Sequence, residues 1–308
     1  MTTWLEIKNY LDSTEKPVQL VKHIDEVPES KLKWPAIVQV KEDGVCAIVI
    51  KHNNLIRMFT RTGKEMFYSG LYCLNVQRLQ NDFVYIAELI NPKLSLEALS
   101  GLVNPNRVEA WDTKTYELML HNATLRYHDI IKLSSFLMGR SVVDYYSRLS
   151  TLLDHVSAAH VIPYTFVHSD PELQVYAAKQ IASGKEGVVR KEIHAPWIAG
   201  HKGHHSTKIV RDIHVDLQCT AVKYGKPGKH QHWIAALEFV YGGKSFWADL
   251  GKGWDNEKRD YLTKGYEKNK FNVIGQIFHV KALQESSKGV LRLPKVQEQR
   301  IDKVVQDD

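Results

Sequence analysis

Residues 34–60 read as two β-strands, because their apolar and β-branched runs are broken by polar residues at Glu42, Asp43 and Gly44 and again at His52-Asn53-Asn54. Phe83–Ile90 forms a further short strand that stops before Asn91-Pro92. The period then changes. Over residues 141–158 the apolar residues Val142, Tyr145, Leu149, Leu152, Leu153 and Val156 recur at three- and four-residue steps, which predicts a helix with one buried face. A second helix is punctuated at both ends: Asp170 suits its N-cap, Pro171 its first turn and Gly184 its stop, with Leu173, Tyr176, Ala177 and Ile181 along one face. It delivers the chain straight into a strand at residues 186–191. Residues 3–11 predict one more helix.

From residue 214 the texture is different. Strand-like blocks at 215–222, 233–241 and 244–250 are separated by Gly225-Lys226-Pro227-Gly228 and by Gly242-Gly243, with a helix over 256–268 and a strand over 273–283. Many short strands with regular turn signals predict a small β-barrel. The boundary falls near Asp212, giving domains at 1–212 and 213–308. The expected class is α+β: antiparallel sheets with flanking helices, followed by the barrel.

Composition changes this picture little. The chain has 308 residues, 44% hydrophobic and 25% charged, which is ordinary for a folded protein long enough for two domains. No apolar run approaches the ~18 residues a membrane span needs, and the N-terminus lacks a basic stretch followed by an apolar one. A cytoplasmic protein without membrane contact is expected. Cys46, Cys73 and Cys219 are far apart and form no Cys-x-x-Cys pair, so neither a zinc site nor a disulfide framework is indicated. His204-His205 reads as a solvated loop rather than a ligand pair. The net charge of +6 is unevenly placed: from Ile213 onward sixteen Lys and Arg face twelve Asp and Glu, leaving +4 there. Such a surface attracts a nucleic-acid backbone.

The chemistry centres on Lys41-Glu42-Asp43-Gly44. Alone, Asp43-Gly44 between two strand-like runs is a hairpin signal. Followed in order by Glu186-Gly187-Val188-Val189-Arg190-Lys191 and by Lys208, it suggests a lysine that takes a nucleotide covalently. A lysine attacks phosphorus only as the free amine, so burial and cationic neighbours must lower its pKa, and Lys191, Lys208 and Arg211 are candidates for those neighbours. A triphosphate requires Mg²⁺ and oxygen ligands, for which the strand-borne Glu88 and Glu186 are suited. Lys223, Lys226 and Lys229, spread through a Pro/Gly turn, could track duplex phosphates. Trp233, Trp247 and Trp254 read as barrel core rather than as a base-stacking platform.

On these residues the chain resembles ATP-dependent polynucleotide ligases, most of all the short two-domain DNA ligases of phage type, within the covalent nucleotidyltransferase superfamily. The resemblance runs from about Trp34 to Lys303. It implies a nucleotidyltransferase (adenylation) domain followed by an oligonucleotide-binding (OB) fold, and it implies roles. Lys41 would carry AMP, with Asp43 beside it and Lys208 as a catalytic cation. Thr60-Arg61-Thr62-Gly63 matches a Ser/Thr-Arg-x-Gly segment, so Arg61 would contact the ribose and the nick 5′-phosphate. Ala87-Glu88-Leu89 matches a strand whose glutamate contacts ribose or metal, and His128-Asp129 falls where an aromatic ring usually stacks on adenine, a place Tyr127 could also fill. Glu186 would coordinate metal and Lys191 would contact phosphate. Leu291-Arg292-Leu293-Pro294 and Arg300-Ile301-Asp302-Lys303 resemble the C-terminal elements of the barrel. The chain departs from the pattern at Cys46, Ala87, His128 and Val210, the last replacing the second lysine of Lys-x-Lys; Arg211 next to it is a candidate for the missing charge.

The implied activity is sealing of 5′-phosphate/3′-hydroxyl nicks in duplex DNA by a monomer, using ATP and Mg²⁺, with Mn²⁺ a possible substitute. RNA ligases and mRNA-capping nucleotidyltransferases share the Lys41 and Glu186 logic. A non-catalytic OB-type nucleic-acid binder is the alternative of a different class.

Overall fold

The computed structural model describes all residues except 1, 69–75, 77, 229, 252, 269–272, 284, 286–288 and 308. Cys73 and Lys229 therefore lie outside the described residues. The chain divides into two compact units, Met1–Val210 and Arg211–Asp308.

The first unit runs α1 (Trp4–Ser13), β1 (Lys22–His23), β2 (Ala36–Lys41), β3 (Val45–His52), β4 (Leu55–Thr60), β5 (Phe83–Ile90), α2 (Leu96–Leu102), α3 (Thr113–Asn122) and β6 (Thr124–Lys132). It continues through α4 (Leu133–Leu137), β7 (Arg140–Ser141), α5 (Tyr145–His155), β8 (Tyr164–Val167), α6 (Asp170–Ala182), β9 (Gly187–Glu192), β10 (Trp197–Ile198) and β11 (Ser206–Val210). Two sheets organise it. One has the order β1-β11-β9-β2-β8, the other β4-β3-β5-β6. All pairings are antiparallel except β1 with β11.

Asp43-Gly44 is not a hairpin. β2 lies between β9 and β8 in one sheet and β3 between β4 and β5 in the other, so the segment from Lys41 to Gly44 carries the chain across from sheet to sheet. Each strand already has two neighbours and cannot pair with the other. The crossing is tight: a Cβ on Gly44 would stand 2.7 Å from the Leu89 carbonyl oxygen and 2.8 Å from Ile90 Cγ2.

Alternation along the strands builds separate cores. On the four-stranded sheet, Ala47, Val49, Tyr85, Ala87 and Tyr127 face α3 and α5, whereas Ile48, Ile50, Val84 and Ile86 pack with Ile7 and Leu11 of α1. In the five-stranded sheet, Ala36, Val38 and Val188 pack on Leu173 and Ala177 of α6. Three strands occupy residues 34–60 rather than two. α5 starts at Tyr145, capped by the Asp144 side chain, which leaves Val142 and Val143 outside and exposed. Ser169, not Asp170, caps α6, its hydroxyl accepting from Glu172 N. Helices α2 and α3 and strand β6 were not anticipated.

The second unit contains β12 (Ile213–Gln218), β13 (Ala221–Tyr224), β14 (Ile234–Tyr241), β15 (Lys244–Leu250), α7 (Asn256–Glu267), β16 (Ile277–Ala282) and β17 (Lys295–Gln299). The strand expected over 215–222 is two strands, divided at Cys219-Thr220. The six strands, ordered β12-β16-β17-β15-β14-β13, surround one core that includes Leu217, Phe239, Phe246, Phe278 and Val296, with Leu262 of α7 packed into it. Trp254 packs against this core, while Trp247 is exposed on β15.

Candidate active site

Lys41 is the last residue of β2 and pairs in register with Gly187, the first of β9. That pairing brings Glu186 beside it, and Lys41 Nζ donates to Glu186 Oε2 at 2.6 Å. Gly187 is what lets the strands close up: a Cβ there would stand 2.1 Å from the Ile209 carbonyl oxygen of β11 and 2.7 Å from Val210 Cα, and its φ is +152°. The Glu-Gly pair is therefore one device, a carboxylate and the backbone approach that places it.

Lys41, Lys191 and Lys208 from the five-stranded sheet and Glu186, just before β9, line a cleft of about 500 Å³ with Glu88 and His128 from the four-stranded sheet and Arg61 from the turn after β4. Asp43 is exposed and is not among the residues lining the cleft; Glu42 is, and it pairs with Lys185 at 3.2 Å. Arg211 opens the second unit. There Lys223 and Lys226 are exposed, Lys223 Nζ standing 5.5 Å from the centre of the Trp247 ring.

Charges in the cleft are strongly coupled. Burial pushes the Glu88 carboxyl up to about 7; Lys41 and Arg61 pull it down, Glu186 and Asp43 add to the rise. Burial, reinforced by Lys41, also lowers Lys208. Cys46, paired across the strands with Glu88, is raised by burial and by the Glu88 charge, so it is a thiol at neutral pH.

Strand β6 carries a feature that alternation does not predict. Its register with β5 shifts so that Ala87 pairs with Tyr127 and Ile86 with Asp129, leaving His128 as the extra residue of a β-bulge. His128 and Asp129 consequently both line the cleft, and Tyr127 points into the core at 0% exposure. Asp129 accepts from Arg148 Nε and Nη2 at 2.7 and 3.2 Å. Burial would raise its carboxyl, but Arg148 and Lys191 outweigh that and hold it below the ordinary carboxylate range. Lys191 Nζ donates to the His128 carbonyl oxygen at 3.1 Å and lies 3.3 Å from His128 Nδ1 and 4.3 Å from the Tyr145 ring centre. Burial brings Lys191 down to about 8, against the pull of Asp129, and burial with Lys191 brings His128 down to about 3. The neutral ring accepts at Nδ1 and so carries its proton on Nε2.

From sequence Asp129 is only the second residue of the His128-Asp129 match, with no role of its own, and Arg148 is missed. The available signal was Arg148 itself, a charge on the apolar face of α5 defined by Tyr145, Leu149 and Leu152.

The first unit thus presents two sheets flanking a cleft, and the second is a six-stranded sheet around one core. No protein-family model matches the chain. The solved structure named "Pmar-Lig_Pre." superposes with a TM-score of 0.73 at 20% identity, covering 92% of this chain and 67% of that one. One from a study of Lig E DNA ligases and DNA binding with a minimal scaffold gives 0.67 at 15% identity, covering 92% and 98%. In sequence, the chain is similar to a probable DNA ligase of Anaeromyxobacter sp. (strain K), 28% identical over 130 residues, 38% of this chain and 25% of the relative. It is also similar to DNA ligase 1 of Korarchaeum cryptofilum, 25% identical over 144 residues, 42% of this chain and 26% of the relative. The matches thus span about a quarter of these relatives' length. The resemblance to DNA ligases stands in sequence and in fold.

Proposed function

We propose that the chain is an ATP-dependent DNA ligase that seals nicks in duplex DNA through AMP carried on Lys41. The observation that supports this most is the Lys41–Glu186 contact at 2.6 Å inside a cleft also lined by Arg61, Lys191 and Lys208. In the first transfer, Lys41 Nζ loses its proton and attacks the α-phosphorus of ATP; the N–P bond forms and pyrophosphate leaves. AMP then passes to the nick 5′-phosphate, breaking the N–P bond, and the 3′-hydroxyl displaces AMP as it forms the phosphodiester. These steps require alignment and charge neutralisation above all.

Lys208 and Arg61 are assigned to the phosphates, Lys191 to the phosphate nearest His128, and His128 to the adenine face. Asp43, outside the cleft lining, is assigned a role through its charge, which acts on Glu88. Glu88 and Glu186 fit a hard cation: their charges oppose each other in a shared cleft, and Mg²⁺ takes few protein ligands beside substrate phosphates and water. When bound, Mg²⁺ or Mn²⁺ would neutralise triphosphate charge. Arg211 would add a cation where Val210 has none. Lys223 and Lys226, with Lys229, are assigned to duplex phosphates. We place the protein in the cytoplasm as a monomer acting on nicked duplex; among the described residues no helix is long and apolar enough to cross a membrane. RNA ligase and capping activities would use the same lysine, but the named relatives are DNA ligases.

Intact mass after incubation with ATP and Mg²⁺ tests the first transfer. An AMP adduct on the wild type, absent from Lys41→Ala and from GTP or NAD controls, is expected, followed by sealing of a nicked duplex. A protein stripped by pyrophosphate that still forms no adduct overturns the reading.

A further inference from the structure

Residues 193–205 connect β9 to β11, and the returning leg brings His204 and His205 against Glu192, the last residue of β9. Glu192 N donates to the His205 carbonyl oxygen at 2.9 Å, fixing the two backbones. His205 Nδ1 lies 2.9 Å from Glu192 Oε2, and the His204 and His205 ring centres are 4.0 Å apart. One ligand atom from each of the three residues lies within 4.8 Å of the other two. The Glu192 side chain is only 6% exposed. The ion pair with Glu192 involves His205 alone, while the His204 ring stands beside it and brings a second imidazole within reach of the same point.

We propose that Glu192, His204 and His205 form a binding site for a zinc-class divalent transition-metal ion. Two imidazole nitrogens and one carboxylate oxygen are the donors that Zn²⁺, Co²⁺ and Ni²⁺ favour, whereas Mg²⁺ favours oxygen throughout. Zinc bonds of about 2.0–2.2 Å put neighbouring ligand atoms roughly 3.3 Å apart in a tetrahedron, so side-chain rotation closes the present spacing. Three protein ligands leave the fourth position open. Lys33 Nζ stands 3.5 Å from Glu192 Oε1 and competes with the ion, but its side chain is 71% exposed and can swing into solvent. Glu192 and His205 also line the cleft, so the ion would sit on its wall and tie the ends of the 193–205 connection together. The site draws on none of the residues assigned to Mg²⁺, and it does not depend on the ligase reading.

Cobalt serves as the probe. The full chain, freed of metal by a chelator, is titrated with Co²⁺ and followed by visible absorption, with Zn²⁺ added to displace it. Binding of about one equivalent is expected, with an intense low-symmetry spectrum that Zn²⁺ abolishes. His204→Ala should weaken binding about tenfold or more, Lys33→Met should tighten it, and Glu186→Gln should leave it unchanged. His205→Ala also removes the partner of a buried carboxylate, so His204→Ala, checked for folding by circular dichroism, is the deciding variant. The site is overturned if the wild type gives no such spectrum, if His204→Ala binds like the wild type, or if the signal is lost in Glu186→Gln instead.

Discussion

Glu88 keeps a proton that an exposed carboxylate gives up well below neutrality. Below the ordinary carboxylate value both folded and unfolded chains hold that proton, and above it the unfolded chain releases it first. The folded state then loses up to ~1.4 kcal/mol per pH unit until about 7, beyond which the cost is constant. Glu88→Gln has no proton to release. Its thermal midpoint relative to wild type should rise between about pH 4.5 and 7 and level off above; a flat difference across that window contradicts the assignment. Gly187 carries a different constraint. In Gly187→Ala the new methyl meets backbone at 2.1 and 2.7 Å, neither of which can rotate away, so strands β9 and β11 must part. A loss of about 2–4 kcal/mol in urea unfolding is expected, and AMP transfer should fall with it because Glu186 moves too. At this scale the sequence is most legible where backbone and side chain are constrained together, as in Glu186-Gly187.

Strand β6 shows where that legibility stops. Alternation sends His128 and Asp129 to opposite faces, and only the bulge brings both into the cleft; a bulge depends on the partner strand, which the local sequence does not contain. Arg148 is hidden for the same reason, since its partner lies on another element. Breaking this buried pair should be costly: Asp129→Asn or Arg148→Ala is expected to lose about 3–5 kcal/mol, read by chemical denaturation. The double variant should lose clearly less than the sum, because each single change leaves the other group buried and unmatched. The hairpin that Asp43-Gly44 taken alone would signal is absent on similar grounds. β2 is buried along nearly its whole length, as befits a strand flanked on both sides, and no local signal says which strands flank it.

For the whole molecule, the described residues that line the cleft run from Lys16 to Lys208 and belong to the first unit. Calorimetry should accordingly separate two unfolding transitions, only one of which moves with nucleotide. ATP at a hundredfold excess over its Kd should stabilise that transition by about 2.7 kcal/mol. A shift of both together would mean that the units unfold as one. The change of texture at residue 214 was visible in sequence because turn residues mark it directly, whereas the two sheets of the first unit were not, since their strands look alike.

Lys41 ends a strand of one sheet, and after three intervening residues Val45 begins a strand of the other; α6 packs on the first sheet and α1 on the second, while Ile37 of β2 joins the core of the four-stranded sheet. The proposed nucleophile, Lys41 Nζ, thus takes its position from both sheets, and a displacement of either one moves it. Variants that fold but form no AMP adduct should therefore map to residues outside the cleft lining in both sheets, to Val38 and Val188 as readily as to Ile48 and Ile50.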